Sequence, residues 1–323
     1  MGANSFTFNF KKIPKDFLFF LALAFCLEWA VCHFSRVPDY ALKKKLIETE
    51  RIAADILFLG DSSVTSNVEA ALFEEKMQLK MYGLGTLQWL GLPSYYLLLR
   101  DYLEHQPAPR YLILMVTPET WTQNFEDRYS LYFEAYFNRS PLLFKTLGQG
   151  LSPALFFRYA VLDWLPSIRY RPYLQDVLFP DRRSVLEEEF VHMAGSREVL
   201  IRQKGTSMMD KSQLACSPAS KSYAANPVQL RYAQKILDLA HARGIRVFYV
   251  AAPFARECYT GEQVMELQAI HQEVLRKNPG LEAISVSELS LSKDNFSNTS
   301  FHLHREAARL FTEKLAQALA RLL

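Results

Sequence analysis

Asp55-Ile56-Leu57-Phe58-Leu59-Gly60-Asp61-Ser62-Ser63 is the stretch whose reading decides the fold. Its unbroken apolar run ends at glycine, as in a strand buried on both faces, and the polar residues that follow start a turn toward a helix. Outward from it, residues 68–77 have helical spacing, 79–84 read as a second strand, 87–105 as a helix, and 111–116 as a third strand introduced by Pro107 and Pro109. Strand and helix alternate, which predicts an α/β protein with a doubly wound parallel sheet. The rhythm stops over residues 117–223, which are aromatic-rich to Phe179 and polar beyond Pro180, and these read as helical insertions with a mobile loop. It resumes at Asn226-Pro227, an N-cap followed by proline at the first helical position, in a helix that stops at Gly244. A strand over 246–253, a helix over 261–277, a short strand over 283–286 and an amphipathic helix over 305–322 complete the pattern.

The chain has 323 residues, half of them apolar, with 37 Lys plus Arg against 34 Asp plus Glu. A dispersed net charge of +3 argues against a nucleic-acid partner, and the composition excludes a disordered or collagen-like chain. The 4 cysteines do not lie at zinc-finger spacing, so a structural zinc site is not expected; no other metal-binding spacing emerges, and no cofactor is expected. Cys216 and Cys258 form the one pair placed to bridge in an oxidising compartment; the alternative is two separate thiols.

Residues 17–34 read FLFFLALAFCLEWAVCHF and follow Lys11, Lys12 and Lys15. Positive charge ahead of an apolar segment predicts an uncleaved anchor with the rest of the chain outside the cytoplasm. The expected organisation is a cytoplasmic tail over 1–15, a transmembrane anchor over 16–35, a stalk over 36–54 and an α/β domain over 55–323 with its insertion at about 117–225. The competing reading is a buried helix, because the uninterrupted apolar stretch covers only 17–27. Glu28 near the outer end would be costly in lipid and hints at a membrane-protein partner.

Ser62 follows the first strand, and ligands of open α/β sheets bind at the carboxyl ends of strands. A serine there acts as nucleophile when a base lies close and backbone N–H groups hold the oxyanion. Near the other end of the chain, His302 precedes the final amphipathic helix, in Phe301-His302-Leu303-His304-Arg305-Glu306-Ala307-Ala308-Arg309-Leu310-Phe311-Thr312. Glu119, Asp127 and the run Glu187-Glu188-Glu189 are weaker candidates for carboxylate chemistry, and His192, His241 and His271 read as isolated. Trp121, Tyr129, Tyr132, Phe133, Tyr136 and Phe137 suit the core of the insertion or stacking on sugar.

The Gly60-Asp61-Ser62 turn paired with the His302 block resembles the SGNH (GDSL-type) hydrolase superfamily, over residues 55–116 and 226–323. The resemblance implies a three-layer, flavodoxin-like fold, with Ser62 as nucleophile, His302 as base, and an oxyanion held by Ser62, Gly85 and Thr117. The sequence departs from the family at Thr299, where an aspartate is usual, at His304 and Ala307, and in Val116-Thr117-Pro118-Glu119, which stands where the family has Gly-x-Asn-Asp. The working catalyst is a Ser62–His302 dyad with Asp294 as third member, and Glu306 or a backbone carbonyl is the alternative group to orient the ring.

Within the superfamily the anchored chain is most similar to proteins that modify envelope polymers, such as those of alginate O-acetylation and teichoic-acid D-alanylation. That likeness implies acyl transfer, or ester cleavage, on O-acetyl or related groups of a cell-envelope polysaccharide. It also implies a membrane-bound O-acyltransferase (MBOAT) as partner and an inner-membrane, periplasm-facing location. The competing reading is a non-catalytic, polymer-binding accessory subunit of the same system; a plain esterase is the third.

Overall fold

The computed structural model describes residues 15–34, 46–86, 88–123, 201–214, 216, 223–286 and 290–323. After α1 (Lys15–Phe34), the chain runs β1 (Ile56–Gly60), α2 (Ser62–Asn67), α3 (Ala70–Met77), β2 (Met81–Gly85), α4 (Gly91–His105) and β3 (Tyr111–Val116). The second half supplies α5 (Pro227–His241), β4 (Arg246–Ala251), β5 (Phe254–Ala255), α6 (Gly261–Lys277), β6 (Glu282–Ala283), β7 (Ser290–Leu291) and α7 (Arg305–Ala320). Five strands form a parallel sheet in the order β2-β1-β3-β4-β6, and β5 pairs with β7 in a small second sheet.

Side chains alternate across the strands, so each strand feeds two cores. Leu57, Leu59, Leu112, Leu114, Val247 and Tyr249 pack under α4, α5 and α6. Ile56, Phe58, Ile113, Met115, Phe248 and Val250 pack against α2, α3 and α7. Covering both faces is what makes β1 and β3 uniformly apolar. The chain winds from β1 outward to β2 and then returns to place β3 on the other side of β1. The winding reverses between β1 and β3, and Ser62 follows the carboxyl end of β1, at the place where open α/β sheets bind ligands.

Local chemistry sets the helix ends. The Asn226 side chain accepts from Val228 N–H at the start of α5, and Thr260 and Gln263 form a reciprocal capping box on α6. The arm over 201–210 covers the exposed edge of β2: Gly83 N–H donates to Lys204 O at 2.8 Å. There Gly205 has φ +81°, and a Cβ on it would fall 2.0 Å from Gly83 O, so the two backbones meet because Gly205 has no side chain.

Several expectations change. Part of the expected stalk belongs to the domain: Leu46, Ile47 and Ile52 are buried, and Tyr102 Oη–H donates to Ile52 O at 3.1 Å. Helix α1 forms where the apolar segment predicts, and Phe17, Phe19, Phe20, Phe25 and Trp29 are exposed. No helix among the described residues is long and apolar enough to cross a membrane, so a transmembrane anchor is not borne out there. The strand expected over 283–286 is the two-residue β6, and α2, which the sequence pattern passes over, is an additional helix. Most of the expected insertion, with Asp127, Glu187 to Glu189, His192 and the aromatics Tyr129 to Phe137, lies outside the described residues. Cys216 and Cys258 are joined in a disulfide, which ties the segment after the 201–214 arm to the turn beyond β5.

Candidate active site

Asp61 organises the turn after β1. It caps α2, and its two carboxylate oxygens accept from Ser63 N–H (2.9 Å), Ser63 Oγ–H (2.5 Å), Thr117 N–H (2.6 Å), Thr117 Oγ1–H (3.0 Å) and Thr120 Oγ1–H (2.7 Å). These donors follow the ends of both β1 and β3, so one fully buried carboxylate ties the two strand ends together. Gly85, at the end of β2, lies against the same turn: a Cβ there would meet Thr65 Oγ1 at 2.5 Å and the Asp61 carbonyl oxygen at 2.9 Å.

Ser62 is the first residue of α2, and His302 arrives from the loop before α7. Across 240 positions of sequence, Ser62 Oγ and His302 Nε2 meet at 2.8 Å. On the far side of the ring, His302 Nδ1 lies 3.2 Å from Asn298 Oδ1. A carbonyl oxygen at that position calls for the proton on Nδ1 and leaves the Nε2 lone pair facing the serine hydroxyl. Thr299 Oγ1 accepts from His302 N–H at 3.2 Å and shapes the turn that carries the ring. Both members of the pair are buried, with exposures of 9% for Ser62 and 8% for His302. Burial pushes the imidazole down to about 4, against a smaller upward pull from Asp61, so the ring is neutral near pH 7.

Two expected roles change. Asp294 is exposed on a 3-10 turn, and the place beside Nδ1 that the sequence reading gives it belongs to Asn298. The criterion of charge passes over Asn298, whose uncharged oxygen nonetheless aligns the ring. Thr117 follows the end of β3 beside the serine turn, but its N–H donates to Asp61 and is not free to hold an oxyanion. Ser62 N–H, in the first turn of α2, makes no hydrogen bond among the described residues and is the clearest remaining oxyanion donor.

Beside the pair, Glu119 forms a second polar cluster. Its Oε1 accepts from Tyr259 Oη–H (2.8 Å) and Tyr223 Oη–H (3.1 Å), and its Oε2 accepts from Gln88 Nε2–H (3.2 Å). Gln88 also donates to Thr117 Oγ1 at 2.9 Å, and Tyr259 Oη lies 3.3 Å from Ser300 Oγ, so the cluster spans from the serine turn to the histidine loop. Burial pushes the Glu119 carboxyl up from its ordinary value, and the three donors oppose that shift. His241 and His271 lie on α5 and α6, away from the pair, and no metal-ligating cluster exists among the described residues. Two clefts, of about 280 and 360 Å³, open on either side of the 201–204 arm, and neither is lined by Ser62 or His302.

Sequence reasoning also missed Asn67. It is fully buried at the end of α2, where its Nδ2–H donates to Phe301 O (2.9 Å) and its Oδ1 accepts from Leu303 N–H (2.8 Å). The only signal was a polar residue closing a short polar run after the serine.

The fold and this geometry define a class: a doubly wound α/β protein with a Ser-His-Asn constellation at the switch point of its sheet. Compared with known proteins, the chain matches no family model and no curated protein.

Proposed function

We propose that the protein is an extracytoplasmic SGNH-type acyltransferase or esterase acting on O-acyl groups, acetyl foremost, of a cell-envelope polysaccharide. The observation that carries this reading is the 2.8 Å contact between Ser62 Oγ and His302 Nε2, with the ring aligned from behind by Asn298. In the first step His302 Nε2 takes the Ser62 hydroxyl proton as Oγ attacks the acyl carbonyl carbon, and Ser62 N–H stabilises the oxyanion. The intermediate expels the donor alcohol, which takes the proton from His302, and leaves an acyl-serine. In the second step a sugar hydroxyl, or water in an esterase, gives its proton to Nε2 and attacks the same carbon. Ser62 then leaves with that proton.

The neutral ring fits this role, because a buried imidazole that stays unprotonated can act as a base. Asn298 gives less stabilisation to the imidazolium than an aspartate would, and to that extent it favours the second reading, a polymer-binding accessory subunit. The Cys216–Cys258 bridge supports a location outside the reducing cytoplasm, such as the periplasmic face of the inner membrane. In this reading the exposed aromatic and aliphatic side chains of α1 hold the protein at the membrane, against a membrane-bound O-acyltransferase that supplies the acyl group.

The test is labelling of the full chain with a serine-reactive fluorophosphonate. Wild type should label, whereas Ser62→Ala should not and His302→Ala should lose about a thousand-fold in rate. An unlabelled wild type, with both variants fully complementing a strain that lacks the protein, would leave the accessory reading.

A further inference from the structure

The histidine loop meets the serine helix through Asn67. Phe301 and Leu303 flank His302, and the carboxamide of Asn67 takes the carbonyl of one and the N–H of the other. This is the pattern by which a residue in a parallel strand engages both neighbours of its opposite number, reproduced here by one side chain. Asparagine suits the task because its carboxamide presents a donor and an acceptor spaced as in a peptide group. The Leu303 N–H, a donor only, and the Phe301 carbonyl, an acceptor only, fix the oxygen toward Leu303 and the nitrogen toward Phe301, while Ser66 Oγ lies within hydrogen-bond reach of both Asn67 Oδ1 (2.9 Å) and the Ser62 carbonyl (3.0 Å). Without Asn67, the Phe301 carbonyl and the buried Leu303 N–H would lose these partners.

We infer that Asn67 is the positioning residue that docks His302 onto Ser62. Ser62 opens α2 and Asn67 closes it, so one rigid helical segment carries the hydroxyl at its first residue and the clamp on the base at its last. The spacing between Oγ and Nε2 is then set by α2 rather than by the covalent path between the two residues, which runs through 240 positions. The docking is reinforced two residues further on, where Glu69 N–H donates to Thr312 Oγ1 of α7 at 3.0 Å. This inference rests on the acyl-enzyme reading for its kinetic consequence but not for its structural one.

The experiment follows both. In the full chain, Asn67→Leu should lower the maximal rate of fluorophosphonate labelling of Ser62 by about a hundred-fold, with the reagent's affinity unchanged, as expected for a base displaced by about 1 Å. The Leu303 amide should lose its protection from hydrogen exchange in the same variant. Asn67→Asp keeps the acceptor and lacks the donor; it should retain Leu303 protection, lose the Phe301 contact and label slowly. It also serves if the leucine variant does not fold, and Ser66→Ala, which removes the hydroxyl shared by Asn67 Oδ1 and the Ser62 carbonyl and leaves both of the Asn67 bonds to the histidine loop, should give a smaller loss of rate. Wild-type labelling rates in Asn67→Asp and Ser66→Ala, or unchanged Leu303 protection in a folded Asn67→Leu, would overturn the inference. If wild-type Ser62 does not label at all, the acyl-enzyme reading falls, while the exchange measurement still decides whether Asn67 docks the loop.

Discussion

The serine turn and the histidine loop come together at one rim but are held by opposite means. Around Ser62 the chain is organised by charge: the buried Asp61 carboxylate gathers donors from both β1 and β3. Around His302 the nearest partners are uncharged: Asn298 behind the ring, Thr299 beneath its backbone and Asn67 on either side. The negative charge of the site therefore lies beside Ser62 and not behind His302. A buried imidazole with an amide for a partner stays neutral, ready to accept a proton but less able to keep it.

The largest effect should come from breaking the charged side. Asp61→Asn replaces an acceptor oxygen with a donor among groups that already donate, and it should cost about 4 kcal/mol of folding stability, read by urea denaturation. A cost below about 1 kcal/mol would mean that the turn is braced elsewhere.

Acid tests the neutral side. His302 is held down at about 4, against 6.5 for an ordinary histidine, so the unfolded chain binds more protons than the folded one between those values. Stability is therefore complete above pH 6.5 and falls as the pH drops toward 4, by about 3 kcal/mol from this group alone. His302→Phe should flatten that part of the stability profile, and an unchanged slope would contradict the assignment.

The smallest change sharpens the contrast by moving charge to the other side. Asn298→Asp should raise the proton affinity of His302 by about 1 unit or more and speed Ser62 labelling near neutral pH about ten-fold. An NMR titration of the His302 imidazole reads the first, and labelling kinetics the second. Slower labelling would show that the amide does more than align the ring.

Legibility in the sequence followed the same division. Helices α5 and α6 were readable to within a few residues, because Asn226-Pro227 and Gly261–Lys277 carry caps and amphipathic spacing in local sequence. Helix α2 was not, since Ser62–Asn67 is a run of small polar residues with no apolar stripe. It forms because Asp61 caps it and because the sheet and α7 bury it. The anchor was read from apolar content and adjacent positive charge, and the described helix falls short of a span. Charge and nearness in sequence point to Asp294 behind the histidine, but neither reports which atom faces Nδ1.

The sequence by itself determined the alternation of strand and helix, and with it the parallel sheet, because hydrophobic spacing and helix caps act over a few residues. It also supplied Ser62 and His302, as residue types at the end of a strand and ahead of a helix. Only the tertiary structure decided that these two meet, that Asn298 and not Asp294 stands behind the ring, and that Asn67 joins the two segments. Those choices depend on hydrogen-bond directions between segments some 240 positions apart, and no local pattern encodes such directions.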